Sequence, residues 1–551
     1  MTVPQFAARV HAVIARPGTG QPEHSGEAAS APAVRSRASA LMLLRRHWLI
    51  SLLLLAGVVM RVLTVMAYHP ALLYVDTLKY LYKEWPGADP LGYKLLLKVM
   101  LSVTNLGAVA VLQHLMGLAM AVALYAVLVR RGAACWLAAV AAAPVLLDAY
   151  QLQMEQMIMP DVLFEAMIVA GVVVLLWRPV VTTRLAIVAG VILGASATVH
   201  QIGEILVLPA VAYLILTVGG GWRRILRQSA IMFAAFIVPI VVYCSGSLYV
   251  TGHFWLASSA DQNLGRLAMS ADCATLKLPS YLRQMCPSPS VQANGADWLE
   301  HSKNSPLHNP VVPLGMTKGQ MLAQLESAIE HQQPLRVLSS FLRDSARLFA
   351  GSRTAIQGIT PISRWQFQTH YPTFPPEVSL GAGNKIIVGI QRAPYEPFHE
   401  RLLRPSYGGA AQVDQPIASF LRSYQLKGGY TPGPLLALAT ILGAIGTLFV
   451  LRRRQRGTRQ RELATACLLF FATAALILLI SDFTEFSWRY QLPALITLPP
   501  AGVLGVSVLV AQFRDRRQGR SASGRHSVDG AAPRSPSEQS GSPSEQSGAV
   551  G

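Results

Sequence analysis

Trp48-Leu-Ile-Ser-Leu-Leu-Leu-Leu-Ala-Gly-Val-Val-Met-Arg-Val-Leu-Thr-Val-Met-Ala67 carries one charge, Arg61, in an otherwise apolar run. Coiled into a helix, it spans about 30 Å, the thickness of a bilayer's hydrocarbon core. Comparable runs recur near 106–129, 133–148, 161–177, 185–199, 202–218, 229–250, 433–451, 463–480 and 490–511. Together they predict an all-α polytopic membrane protein of about ten transmembrane helices. The whole chain agrees: 52% of its 551 residues are hydrophobic, 14% are charged and the mean hydropathy is +0.38. An ordinary globular domain is roughly 25% charged, so soluble, disordered, fibrous and disulfide-scaffold classes are excluded.

Lys and Arg number 47 against 28 Asp and Glu, a net charge of +19. In a soluble protein that surplus would point to nucleic acid. Here it tracks the helix ends, and no nucleic-acid partner is expected. Arg45/Arg46, Arg130/Arg131, Arg178/Arg184, Arg223/Arg224/Arg227, Arg452–Arg461 and Arg514–Arg520 all fall on one side if the N-terminus is cytoplasmic. The positive-inside bias therefore predicts an even number of spans in a bacterial plasma (inner) membrane, with both termini cytoplasmic. The runs either side of His200 count as two helices, because one bent helix would invert every later cluster. Met1–Ala40 does not read as a cleavable signal peptide, so the first helix is expected to be the anchor.

The organisation that follows is a disordered tail (1–46), a transmembrane core (47–250) with outer loops at 68–105 and 149–161, an extracytoplasmic segment (251–432), C-terminal helices (433–512) and a second disordered tail (513–551). The 251–432 segment far exceeds an ordinary connection and is expected to have mixed or irregular structure of its own. Cys273 and Cys286 are placed to pair there, whereas Cys135, Cys244 and Cys467 sit in apolar runs. Thr317-Lys-Gly-Gln320 has the form of a capping box, and Pro334 suits the start of a second helix. In that helix Leu335, Leu338, Leu342 and Phe349 recur at helical spacing, with Arg336, Arg343 and Arg347 on another face. It either lies in the membrane interface or packs on the segment's own core. The C-terminal repeat, Ser535–Gly541 followed by Ser542–Gly548, is too polar to bury a core.

The sequence has no Walker loop, dinucleotide fingerprint, HExxH, CxxC or GxSxG, which leaves ionisable groups near the outer helix ends. Asp76, in Leu73-Tyr-Val-Asp-Thr-Leu-Lys-Tyr80, follows the first span. Half-buried there, a carboxylate would be tuned toward a useful base; the plain alternative is a solvated loop aspartate. Glu155 and Asp161 lie in the short link after Asp148, either side of Pro160. Charges so close to apolar helices are costly and hence candidates, although Asp161 could equally serve the dipole of the helix it opens. His200, Gln201 and Glu204 interrupt two apolar runs, as a polar turn or as two ligands on one helix face. Asp482, Glu485, Trp488, Arg489 and Tyr490 cluster near the last span, where an aromatic belt with a snorkelling Arg is the plain alternative. Arg61 is expected to reach the interface, and no role is assigned to it.

An acid just beyond the first helix, the stretch Trp85–Tyr93, a helix ending in Arg130-Arg131, the link Glu155–Phe164, the turn Ala195–Gly203 and Trp488-Arg-Tyr-Gln-Leu-Pro493 together resemble the C-type (GT-C) membrane glycosyltransferases. That superfamily includes the protein O-mannosyltransferases and the lipid A aminoarabinose transferases. The likeness covers the first 250 residues best, and His200-Gln201 stands where relatives often show Arg-Pro. It implies transfer of a sugar from a polyprenyl-phosphate donor, held among membrane lipids, to an acceptor hydroxyl on a glycan, lipid or protein of the cell envelope. By this resemblance Asp76 and Asp161 are the functional acids, with Glu155 a third catalytic candidate. Glu155 and Asp161 could also hold a divalent cation, Mg or Mn. Lys79, Lys94, His200, Gln201, Glu204, Arg489 and Tyr490 would contact the substrate. Two other classes stay open: a transporter or flippase, which the lack of repeated halves disfavours, and a non-catalytic envelope-assembly scaffold.

Overall fold

A computed structural model describes residues 32–74, 76–82, 89–257, 264–354, 362–371, 377–379, 385–387, 407–409, 411–451, 459–484 and 487–526. The C-terminal repeat, Glu485 and the side chain of Lys79 lie outside the described residues. In chain order the main helices are α1 (Pro32–Ala67), α2 (Thr77–Tyr82), α3 (Gly92–Val103), α4 (Leu106–Arg130), α5 (Cys135–Leu147), α6 (Ala149–Gln156), α7 (Asp161–Leu176), α8 (Thr183–Val199), α9 (Val207–Thr217), α10 (Trp222–Thr251), α11 (Leu264–Ser270), α12 (Lys318–Gln332), α13 (Pro334–Arg347), α14 (Gln415–Leu426), α15 (Gly433–Leu448), α16 (Arg459–Thr484) and α17 (Leu492–His526). Residues 1–48 and 49–551 form separate units, and α1 is interrupted near that boundary by the non-helical backbone of His47 (φ −114°, ψ 17°).

Each apolar run falls on a helix, and among the described residues five segments are long and apolar enough to cross a membrane: Arg45–Ala67, Leu106–Arg130, Trp222–Thr251, Arg459–Asp482 and Trp488–Asp515. By length and composition this is a multi-pass membrane protein. α5 and α6 make a sixth span if their 48° bend is one broken crossing. Other expected spans fall on shorter apolar helices: α7, α8 and α15 have 16, 17 and 16 residues, about 25 Å of helix each. Around His200 the chain forms two helices. It turns extended there (φ −145°, ψ 124°) and passes through a 3-10 turn, Gln201–Leu206, into α9.

Small residues let these helices touch backbone to backbone, the usual packing where lipid supplies no hydrophobic drive. A Cβ on Gly194 of α8 would lie 1.9 Å from the Phe236 carbonyl of α10. Charge is sorted along the bundle. At one end Arg130 Nε donates to Trp177 O (2.6 Å), Arg131 Nε to Leu176 O (2.8 Å) and Arg459 Nη2 to Gly132 O (3.3 Å). The other ends of α7 and α16 carry Asp161 and Asp482.

The strands are few. β1 (Tyr68–His69) pairs antiparallel with β4 (Gln412–Val413), Tyr68 opposite Val413, and β2 (Glu377–Ser379) pairs with β3 (Lys385–Ile387). The 251–432 segment builds a second apolar core from Leu267, Met285, Leu299, Met321 and Leu325. A Cys273–Cys286 disulfide, Cα atoms 5.8 Å apart, closes a loop of that segment. Thr317 and Gln320 make both bonds of the capping box on α12 (2.8 and 3.2 Å), and Pro334 sits in the first turn of α13.

Candidate active site

Asp76 follows a segment pinned to the 149–161 link. Leu72 N–H donates to Gln156 O and Ile158 N–H to Leu72 O, each at 3.0 Å. The Thr77 hydroxyl accepts from Tyr74 N–H (2.8 Å) and donates to Ile158 O (3.0 Å). The link has its own clasp: Asp148 accepts from Tyr150 N–H (2.8 Å), capping α6, and from Thr431 N–H (2.6 Å). Pro160 ends the link and leaves Asp161 in the first turn of α7.

The third partner comes from the far end of the chain. Ser487 Oγ accepts from Arg489 N–H (3.3 Å) and opens a 3-10 turn, Trp488–Gln491, that aims Arg489 inward. Arg489 Nε and Nη2 donate to Asp161 Oδ1 and Oδ2, both at 2.7 Å, and Nη1 donates to Asp76 Oδ2 at 3.4 Å. The fork on Asp161 is the bidentate geometry that orients as well as binds. The expectation of a snorkelling Arg and an aromatic anchor is corrected here. Trp488 is 3% exposed and donates to Thr354 O (3.3 Å), while the guanidinium has two carboxylates within reach and no need of headgroup water.

A narrow cleft beside the pair is lined by Asp161, Phe164, Glu165, His200, Arg489 and Tyr490, among others. His200 stacks on Phe164, ring centroids 5.0 Å apart, and its Nδ1 is buried with no partner among the described residues. Burial pushes the imidazole below its ordinary 6.5; the Asp161 charge opposes that shift and Arg489 reinforces it. Glu165 is a residue that the sequence reading passed over. It is 1% exposed; its Oε2 accepts from Gln151 Nε2 (2.9 Å) and its Oε1 has no donor among the described residues. The available signal was its spacing, four residues after Asp161 and so on the same helix face.

Glu155 belongs to a different, fully buried network. Arg61 Nη2 (2.7 Å) and Gln151 Nε2 (3.3 Å) donate to its Oε1, and His114 Nδ1 lies 2.8 Å from its Oε2. Arg61 also donates to Leu146 O and Val145 O, both at 2.9 Å, and to Gly57 O at 3.1 Å. At 3% exposure Arg61 therefore does not reach the interface; four acceptors around one guanidinium compensate its desolvation. Gln151 is the shared contact that connects Glu155 to Glu165.

The other candidates lie apart from the cleft lining. Lys94 is partly buried in the first turn of α3, Gln201 is partly buried and Glu204 is exposed. Because His200 is extended, it and Glu204 do not share a helix face. Asp482 accepts from Ser345 Oγ (2.5 Å). The divalent cation implied at Glu155 and Asp161 does not fit these donors. A different guanidinium already engages each carboxylate, and among the described residues no three His, Cys, Asp or Glu side chains form a metal-binding group.

No family model and no curated protein matches the chain. Among solved structures it is similar to the S. cerevisiae protein O-mannosyltransferase Pmt1-Pmt2 complex bound to the sugar donor, at 15% identity and a TM-score of 0.30, over 43% of this chain and 37% of that one. It is also similar to the Archaeoglobus fulgidus oligosaccharyltransferase tethered with an acceptor peptide, at 10% identity and a TM-score of 0.39, over 84% and 50%. The A. fulgidus oligosaccharyltransferase AglB in complex with an inhibitory peptide and a dolichol-phosphate matches at 10% identity and 0.36, over 87% and 52%. The matched part spans about half of these neighbours' length or less.

Proposed function

We propose that this protein is a membrane glycosyltransferase that moves a sugar from a polyprenyl-phosphate-linked donor to an acceptor hydroxyl at the extracytoplasmic ends of its helices. The observation that carries this reading is the convergence of Asp76, just ahead of α2, and Asp161, in the first turn of α7, on the single guanidinium of Arg489. A motif resemblance alone would leave those residues anywhere on the surface.

The three groups divide the work. The Asp76 side chain is 25% exposed and that of Asp161 11%, so Asp76 is the acid an incoming hydroxyl can reach. As general base it takes the acceptor proton while the acceptor oxygen bonds to the anomeric carbon. The bond from that carbon to the donor phosphate breaks, and its electron pair leaves on the phosphate oxygen. Arg489, a fixed cation in a half-dry site, offsets the charge that develops there. Asp161 holds the Arg489 fork in place and acts as a positioning residue. No step is routed through a metal ion.

The test is transfer of radiolabelled sugar from a polyprenyl-phosphate donor by purified protein in lipid. Asp76→Asn keeps the shape of the side chain and removes its basicity; kcat is expected to fall by about 10²–10⁴. Full transfer by a well-folded Asp76→Asn protein would remove Asp76 from the mechanism.

A further inference from the structure

α13 has three faces. One packs inward: Val337, Phe341, Asp344 and Leu348 are 7%, 8%, 5% and 1% exposed. A second is apolar yet uncovered, with Leu335, Leu338 and Leu342 at 78%, 50% and 52% exposure; at about 100° per residue these fall within about 60° of one another. The third carries Arg336, Arg343 and Arg347, within about 40°. The helix's one acid, Asp344, turns inward onto Arg266 and Arg347, and Arg336 reaches Ser270 O (2.8 Å) and Asp272 Oδ2 (3.8 Å), so the outward charge of the helix is carried chiefly by Arg343.

The position of this helix says what covers it. Ser345 Oγ bonds Asp482, the last residue of the Arg459–Asp482 span. Leu348 O accepts from Gln491 Nε2 at the start of the Trp488–Asp515 span. A Cβ on Gly433, the first residue of α15, would lie 2.2 Å from Ala350 O. The C-terminal end of α13 is thus fastened to the ends of two helices long and apolar enough to cross a membrane, and to the start of the shorter apolar helix α15. Apolar leucines flanked by arginine beside those helix ends complement an anionic lipid surface.

We propose that α13 is seated in the headgroup interface of the membrane that these spans cross, with Leu335, Leu338 and Leu342 at the acyl boundary and Arg343 on anionic lipid phosphates. This seat is independent of the transferase reading. It bears on the proposed site only through Gln491, two residues from Arg489.

Nitroxide labels test it in the full chain, in nanodiscs containing phosphatidylglycerol. They are placed singly at Leu338→Cys, Leu342→Cys and, for comparison, the exposed Ser327→Cys of α12, with Cys135, Cys244 and Cys467 replaced by Ala. Positions 338 and 342 should show an oxygen-to-nickel accessibility ratio at least about threefold above that of 327. Equal ratios, or exclusion of both probes, would overturn the lipid seat. In neutral discs the ratio should fall by about twofold or more; no fall would overturn the anionic part. On the unsubstituted chain, a diazirine-bearing phosphatidylglycerol should label residues 337–343 and spare 318–332, and the reverse pattern would sink the proposal.

Discussion

Arg489 answers two acids with one side chain and grips Asp161 with a planar fork that a lysine lacks. Lysine offers a point charge without a planar fork, so Arg489→Lys keeps the charge and loses the paired bonds to Asp161. Transfer is expected to drop by about 10²-fold, mostly in kcat, because the group proposed to neutralise the departing phosphate is no longer held still; an unchanged kcat would argue that Arg489 only braces its surroundings. His200 gives a second expectation. Its folded value lies below its ordinary 6.5, with Asp161, Arg489 and Asp89 acting on it besides burial. Between those two values the unfolded chain binds more protons, so stability rises with pH through this window and is lost on acidification below 6.5. Melting curves from pH 5 to 7.5 should show this slope in the parent and a shallower one in His200→Gln; identical slopes would clear His200 of the effect.

At the scale of elements, α6 is the piece everything else positions. It is buried along its whole length, capped by Asp148, and carries Glu155 against Arg61 of α1 and His114 of α4. That ion pair fits only because Gly117 leaves room: a Cβ there would sit 1.9 Å from Glu155 Oε1 and 2.7 Å from Arg61 Nη2. Gly117→Ala should therefore cost about 3 kcal/mol by displacing a buried charge pair, read as a lower melting temperature in detergent. An unchanged melting temperature would mean the pair can slide aside. None of this was visible in the sequence, where Arg61 stands in an apolar window that reveals depth and conceals neighbours. Glu155 had looked like a site acid for the same reason. Helix existence was far more legible, since each apolar run encodes its own coil, and so were the caps on α12 and α13, whose signals lie within a few residues.

Across the whole molecule, the legible and the hidden parts divide by sequence distance. Asp76 and Asp161 could be picked out as acids beside helix ends, but their shared partner lies 413 and 328 residues away, and no local pattern carries such a pairing. The span count is less legible for another reason: hydropathy marks where a helix is apolar, whereas crossing also needs length, and α7, α8 and α15 have only 16, 17 and 16 residues. The arginine clusters read as a topology rule reappear as carbonyl clamps, Arg130, Arg131 and Arg459 holding loop backbone at the end opposite Asp161. The late arrival of Arg489 has a consequence for synthesis. A ribosome finishes both acids long before it reaches Arg489, so the fork on Asp161 closes only once the final helix emerges. Any chain terminated ahead of residue 489 lacks that fork permanently, which makes the last stretch of translation the step that completes the candidate site.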